Sequence, residues 1–93
     1  MWYNIYTMEF EFDRIKSEGN KKKHGIDFVD AQALWGDPDC VEIPVTATGE
    51  RRFLVVGKTS AKHWSAIITW RGNRIRIISV RRSRQEEIEI YES

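Results

Sequence analysis

The chain has one cysteine among its 93 residues, Cys40, so no disulfide can form within it. That usage suits a reducing compartment. Two histidines, His24 and His63, stand far apart, and with a single cysteine they make no recognisable zinc set. No apolar run approaches the ~20 residues that a spanning helix needs. The opening "MWYNIYTM" carries neither a basic stretch nor the apolar run of a secretion signal, so a soluble, cytoplasmic protein is expected. There is no glycine-rich phosphate loop, no nucleotide fingerprint and no nucleophile motif for a Ser-His-Asp enzyme. Asp37 and Asp39 flank Pro38 and read as a turn rather than a metal clamp, so neither a metal nor any other cofactor is expected. The most informative gaps are in charge. From Arg71 to Arg84 there is no acidic residue, and from Glu86 to the end there is no basic one.

What is present fits one folded domain over residues 1–93: 41% hydrophobic and 12% aromatic residues suffice for a core, and the length leaves no room for a second. A formal net charge of +1 says nothing about partners, but its distribution does. "MEFEF" (8–12) alternates as a half-buried strand does. Asp13 is placed to cap a solvated helix over 14–23, with Gly19 and Asn20 expected to fray or bend its middle and Gly25 to stop it. A second helix is expected in "DFVDAQALWGDP", with Asp27 as cap and Phe28, Ala31, Leu34 and Trp35 on one face. Strands follow at 41–45 (an edge, because of Pro44), at 52–57, at 63–70 and in "RIRIISV" after an "RGN" hairpin; "TATGE" and "KTSAK" read as loops. Ser83 followed by Glu86 suggests a capping box opening a last helix to Tyr91. The expected fold is α+β, with an N-terminal strand and two helices, then a twisted antiparallel sheet of three to four strands and a C-terminal helix, the helices gathered on one face.

"RIRIISVRRSR" (74–84) has five arginines in eleven residues. Strict alternation would put Ile75, Ile77, Ser79 and Arg81 on one face and Arg74, Arg76, Ile78, Val80 and Arg82 on the other. The preceding strand sets Trp64 and Trp70 on one face and His63 on the other. Guanidinium groups bind phosphate bidentately, and aromatic faces stack on unpaired bases. Such a sheet is a candidate surface for single-stranded RNA. The plainer alternative is charge for solubility and protection of an edge, with the arginines paired to Glu86, Glu87 and Glu89 at little energetic gain. "KKKHG" offers His24 as a proton carrier, though a lone histidine at a helix end more commonly caps carbonyls. Trp35, on an apolar helix face, reads as core.

Taken together, "FEFD", "KHGIDFVDA", "DP", "ERRFLVVGKT" and "RIRIISVRRSRQEEIEIY" resemble the BrnT toxin family from Met8 onward. The resemblance implies a RelE-like fold and the toxin half of a type II toxin–antitoxin pair, a ribonuclease that acts on RNA. It also implies a BrnA-like antitoxin partner with a DNA-binding domain, through which the complex would reach operator DNA and repress its own operon. Residues 1–7 precede the usual family start and are expected to be an extension. Position by position, the family pattern falls on Lys23, His24 and Gly25, on Glu50 or Arg51 with Arg52 and Phe53, on Ser79, Arg81 and Arg82, and on Glu87 and Tyr91. The reaction implied is attack of a 2′-hydroxyl on the adjacent phosphorus. His24, Arg52, Arg76, Arg81 and Arg82 are the expected catalytic residues, with Lys23 or Glu50 as further proton carriers. Arg74, Trp70 and Lys22 are expected to bind RNA, and Glu87 and Tyr91 to support the site. The last helix departs from the family in carrying Glu86, Ile88 and Ile90 where further arginines are common. Two other classes stay open: a non-catalytic RNA- or protein-binding module, and a toxin that has lost its activity.

Overall fold

A computed structural model describes residues 8–45 and 49–93; the expected N-terminal extension and most of the "TATGE" loop lie outside them. In chain order the elements are β1 (Glu9–Glu11), α1 (Arg14–His24), a 3-10 helix (Asp30–Gly36), β2 (Val41–Val45), β3 (Arg52–Thr59), β4 (Lys62–Arg71), β5 (Arg74–Arg82) and α2 (Gln85–Glu92). The strands form one sheet in the order β1-β5-β4-β3-β2. The class is α+β, but the sheet has five strands and is mixed, because β1 joins it parallel to β5. The reason lies in "MEFEF". Phe10 falls beside Ile75 on the core face, while Glu9 and Glu11 fall beside Arg74 and Arg76 on the other. Each pair forms an ion pair, at 3.4 Å and 3.7 Å.

α1 begins where expected, with the Asp13 carboxylate accepting from Lys16 N–H at 3.0 Å, and ends at Gly25 with φ 83°. Its middle is neither frayed nor bent. Asn20 is an anchor instead: its amide donates to the carbonyls of Ile26 and Val80 and accepts from Val80 N–H. β1 pairs with β5 only as far as Arg76, so beyond that point the edge of β5 needs partners, and the Asn20 side chain supplies them. Ser17 similarly accepts from Phe28 N–H at 2.9 Å, tying α1 to the next segment.

The second helix is a 3-10 helix rather than an α-helix. Asp27 accepts from the N–H groups of both Val29 and Asp30, which closes a tight turn at its start, and Gly36–Pro38 ends it after seven residues. Ala31, Leu34 and Trp35 are buried on the sheet, with Phe10 edge-on to Trp35 at 5.1 Å between ring centres. At Gly57 a side chain would meet Leu34 at 3.2 Å, so the glycine lets the 3-10 helix approach β3.

Strict alternation fails within β5. Ile68 pairs with Ile77 but Ile67 pairs with Ser79, which leaves Ile78 as the extra residue of a bulge. The core face therefore runs Ile75, Ile77, Val80, then Arg82, and the opposite face carries Arg74, Arg76, Ser79 and Arg81. Arg81 and Arg82 thus exchange the faces the sequence pattern assigned them. The helices do not gather on one face either. The 3-10 helix, with Ile26 and Phe28 before it, covers the Trp64–Ala66–Ile68 side, α1 runs along the edge of β5, and α2 lies on the other face, where its Glu87 accepts from Ser65 Oγ at 2.9 Å. The α2 cap sits one residue later than expected, at Arg84, whose N–H donates to Glu87 at 2.8 Å.

Candidate functional site

The arginine strand contributes to two surfaces at opposite ends of the sheet. The first is the part of the α2-side face nearest the β4–β5 hairpin. Phe53 pairs with Ile68, so Arg52 falls beside Thr69, and Thr69 pairs directly with Arg76. β1 extends this row with Glu11, 3.7 Å from the Arg76 guanidinium. Arg76 is half-buried and oriented by that pair, while Arg52 is exposed. With strands about 4.8 Å apart, Arg52 and Arg76 stand roughly 10 Å apart at the backbone, within reach of one phosphate from both sides. Arg74, held by Glu9, and Arg71, paired with Glu50 at 3.6 Å, extend the positive charge toward the β4–β5 hairpin. The Lys16 N–H that bonds Asp13 keeps its carboxyl below the usual range, with a contribution from Arg76, which places the start of α1 at this end as well.

α2 closes the other part of that face. Four residues along β4, about 13 Å, separate Thr69 from Ser65. There Arg81 is clasped by Glu87 through two parallel bonds, both 2.8 Å, and Arg81 also donates to the Arg82 carbonyl. Glu87 further accepts from Ser65 Oγ and Arg84 N–H. The Arg81 hydrogen bonds, helped by these others against burial, bring its carboxyl down to about 2. The same bonds from Glu87 raise the Arg81 pKa. This is a closed structural clasp, and its guanidinium is already occupied. Tyr91 fixes the far end of α2: its hydroxyl donates to Asp37 at 2.6 Å, and Asp37 also accepts from the N–H groups of Lys58 and Asp39. Burial works against the charge on Asp37, but those three donors outweigh it and keep its pKa below the ordinary value.

The second surface is on the core side, at the end of α1. Arg82 lies over the Trp64 ring, 5.5 Å from its centre. A cleft of about 620 Å³ beside it is lined by Gly25, Ile26, Val29, Asp30, Lys62 and Trp64, among others. His24 immediately precedes Gly25, with Lys22 and Lys23 exposed on the last turn. α1 spans eleven residues, about 16 Å, so His24, Lys22, Lys23 and Arg82 are separated from the Arg76 row by the length of the helix. The structure therefore brings Arg52, Arg74, Arg76 and Glu50 to one end and His24, Lys22, Lys23 and Arg82 to the other, and locks Arg81 to Glu87 beside Arg82 but on the opposite face. Trp70 pairs with Ile75 and is half-buried against the core. Glu11 escaped the sequence reading; its signal was the alternation that gave β1, which places it on the non-core face.

Among the described residues no group of three or more His, Cys, Asp or Glu side chains could hold a metal ion. No helix among them is long and apolar enough to cross a membrane. Fold and surface together define an α+β domain that carries guanidinium groups and carboxylates at one end of its sheet. The family model described as the ribonuclease toxin, BrnT, of type II toxin–antitoxin systems matches residues 12–87, and the chain belongs to that family. No curated protein matches it. The matched stretch runs from just after β1 to Glu87, so it includes the arginines of both surfaces and the Arg81–Glu87 clasp but not Glu9 or Glu11.

Proposed function

We propose that this chain is an endoribonuclease toxin whose scissile phosphate sits on the Arg52–Thr69–Arg76 row. The observation that carries this reading is the geometry of that row: an exposed and a half-buried arginine flank Thr69, which is buried with its hydroxyl donating to the Arg51 carbonyl, and a carboxylate stands next to one of them. In this reading the 2′-hydroxyl attacks phosphorus, Glu11 takes its proton, and Arg52 and Arg76 neutralise the charge that builds on the phosphorane oxygens. A 2′,3′-cyclic phosphate is left on one fragment, and the departing 5′-oxygen takes a proton from solvent water to become the 5′-hydroxyl of the other. Guanidinium groups supply the positive charge, so cleavage proceeds in excess chelator. The partner is a BrnA-like antitoxin with a DNA-binding domain. It occludes this face and carries the complex to operator DNA in the cytoplasm. His24, Lys23 and Arg82 hold no reacting group in this scheme, and Arg81 acts through the position of α2.

The test is digestion of RNA in chelator by wild type, Arg52→Ala, Arg76→Ala, Glu11→Gln and Arg82→Ala. The first two substitutions should each lower the rate by roughly 10²–10³, the loss typical of one transition-state donor. Arg82→Ala should stay within a few-fold of wild type. Cleavage lost in Arg82→Ala or His24→Ala, with fold retained and the Arg76 variant active, would move the site to the far end of α1. RNA binding by wild type without any cleavage, weakened by the same substitutions, would favour the binding-module reading.

A further inference from the structure

Beside the phosphate row, where β3 starts and β4 ends, lies a second cleft of about 430 Å³, lined by Glu50, Arg51, Phe53, Thr69 and Trp70. Two of its walls are aromatic, and the Arg51 guanidinium lies 5.8 Å from the centre of the Phe53 ring. Glu50 provides a carboxylate at the rim, exposed and loosely paired to Arg71 at 3.6 Å. The aromatic walls of the cleft, Phe53 and Trp70, lie on the core face, around the end of the sheet from Arg76, and the Glu50–Arg71 pair joins the two: Arg71 extends the charge of the row and Glu50 lines the cleft. An RNA strand that passes from Arg76 by Arg71 and over the end of the sheet brings a neighbouring nucleotide's base to the cleft.

We infer that this cleft is a nucleobase subsite and that it selects guanine in single-stranded RNA; the inference rests on the ribonuclease reading above. Unpaired bases are held by stacking on aromatic and guanidinium planes and are read by hydrogen bonds along their Watson–Crick edges. Phe53, Trp70 and Arg51 supply the planes. The edge is read by the Glu50–Arg71 pair, which offers two acceptor oxygens with a donor alongside. Guanine presents the complementary order, an acceptor at O6 followed by donors at N1 and N2. Adenine, cytosine and uracil each place an acceptor where a carboxylate would face it, an unpaired contact that costs affinity. Glu50 is therefore a specificity residue rather than the proton carrier, and Glu11 keeps the latter role.

The experiment has a cleavage arm and a binding arm. Fragment ends from an RNA digest are mapped for wild type and Glu50→Gln, and the binding of GMP, AMP, CMP and UMP is followed by tryptophan fluorescence for the same two proteins. Glu50 is exposed, so the substitution leaves the fold intact. Guanine should be enriched at one fixed position relative to the wild-type cut and lose that enrichment in the variant. GMP should bind wild type at least about 10-fold more tightly than the other three, and the difference should vanish with Glu50→Gln. Trp70→Phe keeps a stacking plane and should retain the preference. Cleavage without guanine enrichment, or with enrichment unchanged in Glu50→Gln, overturns the subsite and leaves the ribonuclease reading standing. A uniform loss of rate at every cut site would overturn it too, by making Glu50 the proton carrier. Equal binding of the four nucleotides overturns it even if no RNA is cut.

Discussion

Glu87 is the residue on which the C-terminal quarter of the molecule turns. A carboxylate that is only 7% exposed would be costly if it stood alone. It instead receives two bonds from Arg81, one from Ser65 and one from the Arg84 backbone, so every oxygen is engaged. Its pKa falls from an ordinary 4.5 to about 2. A depressed carboxylate stabilises the fold above its unfolded pKa, and that stability is lost as pH falls through the folded value. Glu87 should therefore add its full contribution, ~3 kcal/mol from the size of the shift, above about pH 4.5 and lose it toward pH 2. Urea unfolding of wild type and Glu87→Gln across that window checks this; parallel stability curves would show that the clasp is not coupled to folding. Arg81→Ala, by leaving Glu87 charged, unpaired and buried, should cost about 3–5 kcal/mol at neutral pH. An activity loss in that variant would then report an unfolded protein, which is why Arg52 and Arg76 are the better probes of chemistry.

At the scale of elements, the two hairpins show how much a turn depends on its residues. Gly72 and Asn73 join β4 to β5, and Gly72 has φ 62°, a value suited to glycine at the first central position. Ser60 and Ala61 join β3 to β4 with φ 53° and 64°, left-handed values that both residues adopt at a cost. The twist of the long strands and the register of Thr59 against Lys62 impose that turn on them. Replacing them by Asn and Gly together should stabilise the protein by about 1 kcal/mol, a rise in melting temperature of roughly 4–8 °C for a chain this size. A melting temperature that fell instead would mean that the two side chains make compensating contacts. The bulge at Ile78 matters more for function. By slipping the alternation one residue, it puts Arg81 beneath α2 and Arg82 over Trp64.

Across the whole molecule, basic and acidic residues nearly cancel, 15 against 14, so attraction to RNA is a local property. Glu9, Glu11, Glu50 and Glu87 each neutralise one arginine of the sheet. If Arg52, Arg71, Arg74 and Arg76 are the residues that meet phosphate, about four contacts give a slope near −3 for log K against log salt on single-stranded RNA. A 2′-deoxy substitution at the cut site would allow that measurement without turnover. A slope steeper than about −6 would require both basic surfaces to bind at once and would contradict a site confined to one end.

The sequence by itself determined the α+β class, the capped start and glycine stop of α1, the edge position of β2 with its proline, the burial of Trp35 and the family. These rest on local rules: side-chain periodicity, capping chemistry, turn residues and a shared pattern of motifs. It also offered candidate site residues, and these lie at two ends of the sheet. Only the tertiary structure decided which arginines share a surface. The reasons are long-range. β1 returns beside β5 across more than sixty residues and orients Arg74 and Arg76 through Glu9 and Glu11. The Ile78 bulge, visible only once β4 fixes the register, reverses the faces of Arg81 and Arg82. α2 docks on the side away from the 3-10 helix because Glu87 finds Arg81 and Ser65 there. α1, pinned by Asn20, holds His24 at the opposite end from Arg76.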